Sequence, residues 1–156
     1  MIKTQGIILK EADLNEVDRL LTIYTKELGK VNVSAKGAKR LESKLRYSIE
    51  PVSYVQLVLV EGKNFLILKD AVIKNQFLKI KKDLEKIKIV KQMTEFIDEA
   101  IVGEEKDEDI WKLILTTLKN LNVGGPILYI EKDFKKTFIR LLGYDPKQMK
   151  DLEDIY

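Results

Sequence analysis

The chain has 156 residues, a net charge of +3 and 45% hydrophobic residues, enough apolar material for one domain or two small ones. It has no cysteine and no histidine, which excludes disulfides, thiol nucleophiles, Cys/His zinc sites and imidazole general bases together. Charge is uneven: residues 1–80 sum to +5 and residues 81–156 to −2, so a polyanion site is expected in the first half.

The amino terminus carries no signal-peptide pattern. No apolar run approaches the ~20 residues that a membrane helix needs. The expectation is a soluble, cytoplasmic protein with no membrane partner.

In chain order, Thr4–Lys10 reads as a first strand, with Ile7 and Leu9 on one face and Ile8 on the other. Both faces are apolar, so cover on both sides is expected. Glu11 to Asp18 is a polar connection. Arg19–Thr25 is a second strand and Lys30–Lys36 a third, joined by a tight turn at Lys26–Gly29. Pro51 precedes a fourth strand, Val52–Val60. A turn at Glu61–Asn64 leads to the fifth, Phe65–Ile73. Five short, mostly hairpin-linked strands predict a small closed barrel of OB-fold size.

From about Leu78 the period changes to that of a helix, with Leu84, Ile87, Val90, Ile97 and Ile101 on one stripe and a stop near Gly103. Glu104–Asp109 is an acidic lead-in to a second helix carrying Ile110, Trp111, Ile114, Leu115, Leu118 and Leu121. Gly124–Gly125 breaks it. Pro126 opens a third helix with Leu128, Phe134, Phe138, Leu141 and Leu142, ended by Gly143. Asp145–Gln148 resembles the start of a short last helix. The chain is therefore read as α+β: a five-stranded OB-fold-like barrel over residues 1–78 and a helical domain over 79–156.

The stretch from Gly29 to Arg46 stands out. Between Lys30 and Arg46 it has six cations (Lys30, Lys36, Lys39, Arg40, Lys44, Arg46) against one anion, Glu42. A strand feeding a cationic loop suits a phosphate backbone. On charge alone the alternative is a solvated loop. Tyr47 follows Arg46 and is placed to stack on an unpaired base. Tyr24 and Tyr54 lie on strands, where aromatics usually pack inward.

Other chemistry is poorly supported. Asp13, Glu16 and Asp18 have the right oxygen donors for Mg²⁺, but no partner motif follows, and a solvated, capped turn is the simpler reading. Lys36–Gly37–Ala38–Lys39 lacks the second glycine and Ser/Thr of a P-loop. No serine has a histidine to activate it. No catalytic residue, metal or cofactor is assigned, and the chain is read as a non-enzyme. Trp111, Phe134 and Phe138 are expected as core between helices, or as a docking groove where exposed.

The order of motifs resembles a known family. Gly6–Ile7–Ile8–Leu9–Lys10 is followed by Glu16-x-Asp18–Arg19–Leu20–Leu21. Then come Thr25–Lys26–Glu27–Leu28–Gly29–Lys30, Ala35–Lys36–Gly37–Ala38–Lys39–Arg40, Ser43 and Glu50–Pro51. Leu141–Leu142–Gly143–Tyr144–Asp145–Pro146 closes the series. This is similar to RecO, the bacterial recombination mediator. The resemblance implies an OB-fold barrel followed by helices, and binding to single- and double-stranded DNA. It also implies annealing of complementary strands, cooperation with RecR, and displacement of single-strand-binding protein so that RecA can load, with the protein near the nucleoid. Lys36, Lys39, Arg40, Lys44 and Arg46 become the DNA-contact candidates, with Tyr47 for stacking and Lys30 as a lesser one. RecO proteins are usually longer and many carry a four-cysteine zinc site. This chain has no cysteine, so it is read as a short or shortened member without zinc. The competing reading is a protein-interaction adaptor of the repair machinery with incidental DNA binding.

Overall fold

The computed structural model describes residues 1–40 and 48–144. Five strands come first: β1 (Ile2–Asp13), β2 (Arg19–Thr25), β3 (Gly29–Ala35), β4 (Tyr54–Val60) and β5 (Leu66–Asn75). Helices α1 (Leu78–Lys81), α2 (Leu84–Ala100), α3 (Glu108–Val123) and α4 (Ile127–Leu141) follow. The strands form a closed barrel in the order β1-β2-β3-β5-β4, the OB-fold-like α+β architecture read from the sequence.

Closure depends on β1, which is longer than its apolar run suggests. Its first half pairs with β4, from Ile2↔Leu59 to Ile7↔Tyr54. Its second half pairs with β2, from Gly6↔Thr25 to Asp13↔Arg19. The register shifts between Ile8 and Lys10, a bulge that bends the strand. Ile7, Ile8 and Leu9 are all buried as a result. Gly6 sits at the changeover, where a Cβ would lie 2.6 Å from an Ile23 methyl. Across the barrel, β3 and β5 run parallel at Val33↔Leu66 and Ser34↔Ile67.

Alternation sets the barrel interior: Leu21 and Ile23, Val31 and Val33, Val55, Leu57 and Leu59 all point into one buried cluster with Ile8, Leu68 and Ala71. The β2–β3 turn is closed by Thr25, whose hydroxyl donates to the Gly29 carbonyl (2.8 Å) and accepts from the Leu28 amide (2.9 Å). β4 begins at Tyr54, two residues after its expected start. Val52 has φ 72°, outside the extended region, and its amide leaves the ladder to bond the Ile8 carbonyl at 2.7 Å.

The helical period also needed one division. Asp83 Oδ1 accepts from the amides of Glu85 and Lys86, an N-cap that separates α1 from α2. Asp107 caps α3 in the same way, through Asp109 and Ile110. Gly124, at φ 99°, ends α3, and Pro126 stands at the N-cap of α4. The expected last helix, from Asp145, lies outside the described residues.

The chain divides into two compact units. One comprises Met1–Gln76 with Ile97–Lys106, and the other Phe77–Phe96 with Asp107–Tyr156. The barrel unit thus includes the last turn of α2 and the segment after it. Lys10 Nζ meets the Asp98 carboxylate at 2.8 Å. Lys30 Nζ donates to the Asp98 carbonyl at 2.7 Å and its carboxylate at 3.2 Å. Lys106 pairs with Glu27 at 3.1 Å. Burial pushes the Asp98 carboxyl up, but the hydrogen bonds from Lys10 and Lys30 outweigh it and leave it below its ordinary value.

In the helical unit, Phe138 packs edge-on against Phe96 at 5.3 Å and stacks on Phe134 at 5.4 Å. Trp111, Ile114, Leu118 and Leu121 are buried with them. The aromatic stripe of this unit is therefore core. Asn122 Oδ1 accepts from the amides of Lys79 and Ile80, tying α1 to α3.

Candidate nucleic-acid interface

The cationic stretch leaves the barrel through Ala35–Lys36–Gly37–Ala38–Lys39–Arg40. Ala35 and Ala38 are buried in the barrel cluster. Gly37 turns the chain between them at φ 68°, a left-handed conformation that glycine adopts at no steric cost. Small residues at the two alanine positions let the chain cross the barrel end while Lys36 and Arg40 face solvent. The chain returns to the same core at Ile49. The cationic loop is thus anchored inside the barrel at both ends.

The root of this loop rests on the β1–β2 turn. Asp18 is the organising residue. Its Oδ1 accepts from the Gly37 amide at 2.7 Å, and its Oδ2 accepts from Asn15 Nδ2 at 2.8 Å. Asn15 Oδ1 accepts from the amides of Val17 and Asp18, an Asx turn. The Lys39 amide donates to the Val17 carbonyl at 3.0 Å. The Asn15 and Gly37 hydrogen bonds hold the Asp18 carboxyl below its ordinary value, helped by the charges of Lys36 and Arg40.

The expected contact residues differ in their surroundings. Lys36 and Arg40 are exposed, and their side chains make no hydrogen bond or ion pair with a described residue. Lys39 is engaged: its Nζ donates to the Asn15 carbonyl at 3.2 Å and pairs with Asp13 at 3.2 Å. Lys30 is held by Asp98, with a side chain only 17% exposed. Lys44, Arg46 and Tyr47 lie outside the described residues. Tyr24 and Tyr54 are buried, and the Tyr54 hydroxyl donates to Gln5 at 2.6 Å.

Acids share this end of the barrel. Arg19 lies 3.6 Å from both Glu11 and Asp13. Arg19 and Lys39 pair with Glu11 and Asp13, while Lys36 and Arg40 act on Asp18 through their charges alone. Asp13 and Asp18 are engaged in this framework, and Glu16 is exposed beside them. Among the described residues no cluster of acids has the arrangement of a metal site. Asn15 was not singled out by composition or charge. Its signal is the Asn-x-x-Asp spacing of Asn15 and Asp18, which suits a self-capped turn.

Comparison with known proteins bears on the family. Residues 1–77 match the family model described as recombination protein O N terminal. A DNA repair protein RecO from Roseiflexus sp. (strain RS-1) is 32% identical over 145 residues, covering 93% of this chain and 51% of that protein. The protein of that name from Clostridium perfringens (strain 13 / Type A) is 34% identical over 146 residues, 92% of this chain and 59% of its own. The one from Acetivibrio thermocellus is 30% identical over 146 residues, 93% and 58%. The chain thus spans between 51% and 59% of the length of these curated relatives. Among the described residues no helix is long and apolar enough to cross a membrane. Barrel, ordered motifs and relatives converge on RecO: residues 1–77 match the amino-terminal domain of that family, and the chain is similar to RecO proteins over 92–93% of its own length.

Proposed function

We propose that this chain binds single- and double-stranded DNA through the loop that leaves β3, and promotes annealing of complementary strands. In this reading residues 1–78 supply the DNA contact and residues 79–156 the partner-facing part. Together they assist RecA loading with a RecR-like partner on DNA covered by single-strand-binding protein. The observation that carries the reading is the anchored cationic loop. Its root is fixed by Asp18 and Gly37, and it exposes Lys36 and Arg40 without a fixed ionic partner among the described residues. The relatives' name, DNA repair protein RecO, supports the same reading.

The mechanism is electrostatic. Lys36, Lys39, Arg40, Lys44 and Arg46 neutralise phosphates and release counterions. Two strands then approach with less repulsion, and base pairing supplies the free energy. Tyr47 stacks on an unpaired base. No nucleotide cofactor and no catalytic residue is required. The test is annealing of complementary oligonucleotides by the purified chain. The reading expects acceleration that declines with added salt. A rate equal to that without protein would overturn it.

The acids beside the loop favour a second reading, an adaptor that docks proteins and touches DNA only incidentally. Capture of repair partners that survives nuclease treatment, with no annealing by the chain itself, is its distinguishing result.

A further inference from the structure

The half-by-half charge sum conceals a local reversal. Residues 79–91 hold six lysines and only two acids, Asp83 and Glu85. The Asp83 carboxylate is occupied in capping α2. Lys79, Lys82, Lys88 and Lys91 are exposed, and none of their ammonium groups pairs with a described acid. At the barrel end, by comparison, Arg19 and Lys39 are paired with acids.

Helix geometry gathers part of this charge on one face. Leu84, Lys88 and Lys91 stand at i, i+4 and i+7, on the side opposite the buried Val90, Met93 and Ile97. Leu84 itself is 79% exposed, an apolar surface among the lysines that suits a sugar or a base edge. Glu85 stands in the first turn of α2 beside the Asp83 cap, and Lys88 and Lys91 lie beyond that turn, on the exposed side. Unpaired among the described residues and gathered on one side of the helix, these cations fit an external polyanion.

We propose that the α1–α2 lysines form a second phosphate-binding surface, on the helical unit, that holds a second single strand of DNA. This rests on the DNA-binding reading of the barrel and deepens it. Annealing needs two strands on one protein, and two basic surfaces on separate units supply two seats. The occupant is a phosphate backbone because the surface offers several ammonium groups, an accessible apolar side chain and little hydrogen-bonding specificity.

The experiment uses the full chain with two non-complementary oligothymidylates, one labelled with a fluorescence donor and one with an acceptor. The wild-type protein is expected to bring the labels together. The variant K79Q/K82Q/K88Q/K91Q is expected to keep binding to one strand within about twofold and to lose at least about fivefold of the bridging signal. The arginine version at the same positions retains both, and the pair K88Q/K91Q, both exposed on one helix, gives an intermediate loss and guards against a folding defect. Bridging by the glutamine variants equal to wild type overturns the proposal and leaves the lysines to an acidic protein. If the wild-type chain binds neither oligonucleotide, the barrel reading has failed and this proposal falls with it. If it binds and bridges but only barrel-loop substitutions abolish bridging, the barrel reading stands and the second seat does not.

Discussion

The Gly37 amide donates a 2.7 Å hydrogen bond to the Asp18 carboxylate, joining two motifs nineteen residues apart. One motif ends the β1–β2 turn and the other begins the cationic loop. The bond is stronger to a charged acceptor, and Asn15 together with Gly37 keeps the carboxyl ionised below its ordinary pKa. A carboxyl depressed on folding stabilises the folded state fully above the unfolded value of 3.8 and loses that contribution as pH falls through the folded value. The Gly37 amide resonance should therefore titrate with a midpoint below 3.8 and be flat at neutral pH. A midpoint at or above 3.8 would show that the tie does not form.

Two glycines with similar backbone angles should respond differently to alanine. Gly29 has φ 72°, and a Cβ there would lie 2.2 Å from the Glu105 carbonyl oxygen. Gly37 has φ 68°, with its nearest neighbour 3.9 Å away. Gly37→Ala should cost only the left-handed conformation, about 1–2 kcal/mol. Gly29→Ala should cost that and also displace the backbone near Glu105, for a total of about 3 kcal/mol or more. Chemical denaturation of both variants measures the difference. Equal losses would mean that the 97–106 segment does not pack on the β2–β3 turn.

Lys30 and Lys36 should separate stability from binding. Lys30→Gln breaks two hydrogen bonds to Asp98, and a loss of about 1–2 kcal/mol is expected with DNA affinity nearly unchanged. Lys36→Gln should leave stability within about 0.5 kcal/mol and weaken DNA binding. Thermal melts and anisotropy titrations on both variants give the comparison. A large affinity loss in Lys30→Gln at unchanged stability would move the interface onto β3.

The Asp98 contacts carry a further expectation. A chain ending at Gln76 lacks the partners of Lys10, Lys30 and Gly29. It should unfold at a lower denaturant concentration than the same barrel supplied with residues 97–106 as a peptide. Equal midpoints would show that the barrel is complete without that segment.

Local patterns carried the strands. Leu21 and Ile23 alternate with Leu20 and Thr22, Val31 and Val33 with Asn32, and period two places each set on one face whatever the neighbours are. Glycines and Pro126 mark helix ends, whereas the Asp83 cap between α1 and α2 does not interrupt the run of charged residues around it. Charge, by contrast, says nothing about partners. Lys30, Lys36 and Lys39 look alike in a sequence, yet one is held by Asp98, one is exposed, and one is bonded to Asn15 and Asp13. Those partners lie up to 68 residues away, and no local rule reaches them. The bulge between Ile8 and Lys10, which lets one strand pair on both sides, is a property of closure and has no separate signature in the apolar run.

The central claim is that the β3-exit loop meets phosphates. Its most direct test is the salt dependence of single-strand binding by the wild-type chain and by a variant with Lys39, Arg40, Lys44 and Arg46 all changed to Glu. Each phosphate contact contributes roughly 0.7 to the slope of log affinity against log salt on single-stranded DNA. The account predicts a steep wild-type slope, and a variant with a shallower slope and at least about tenfold weaker binding at low salt. An unchanged affinity and slope in the variant would contradict it.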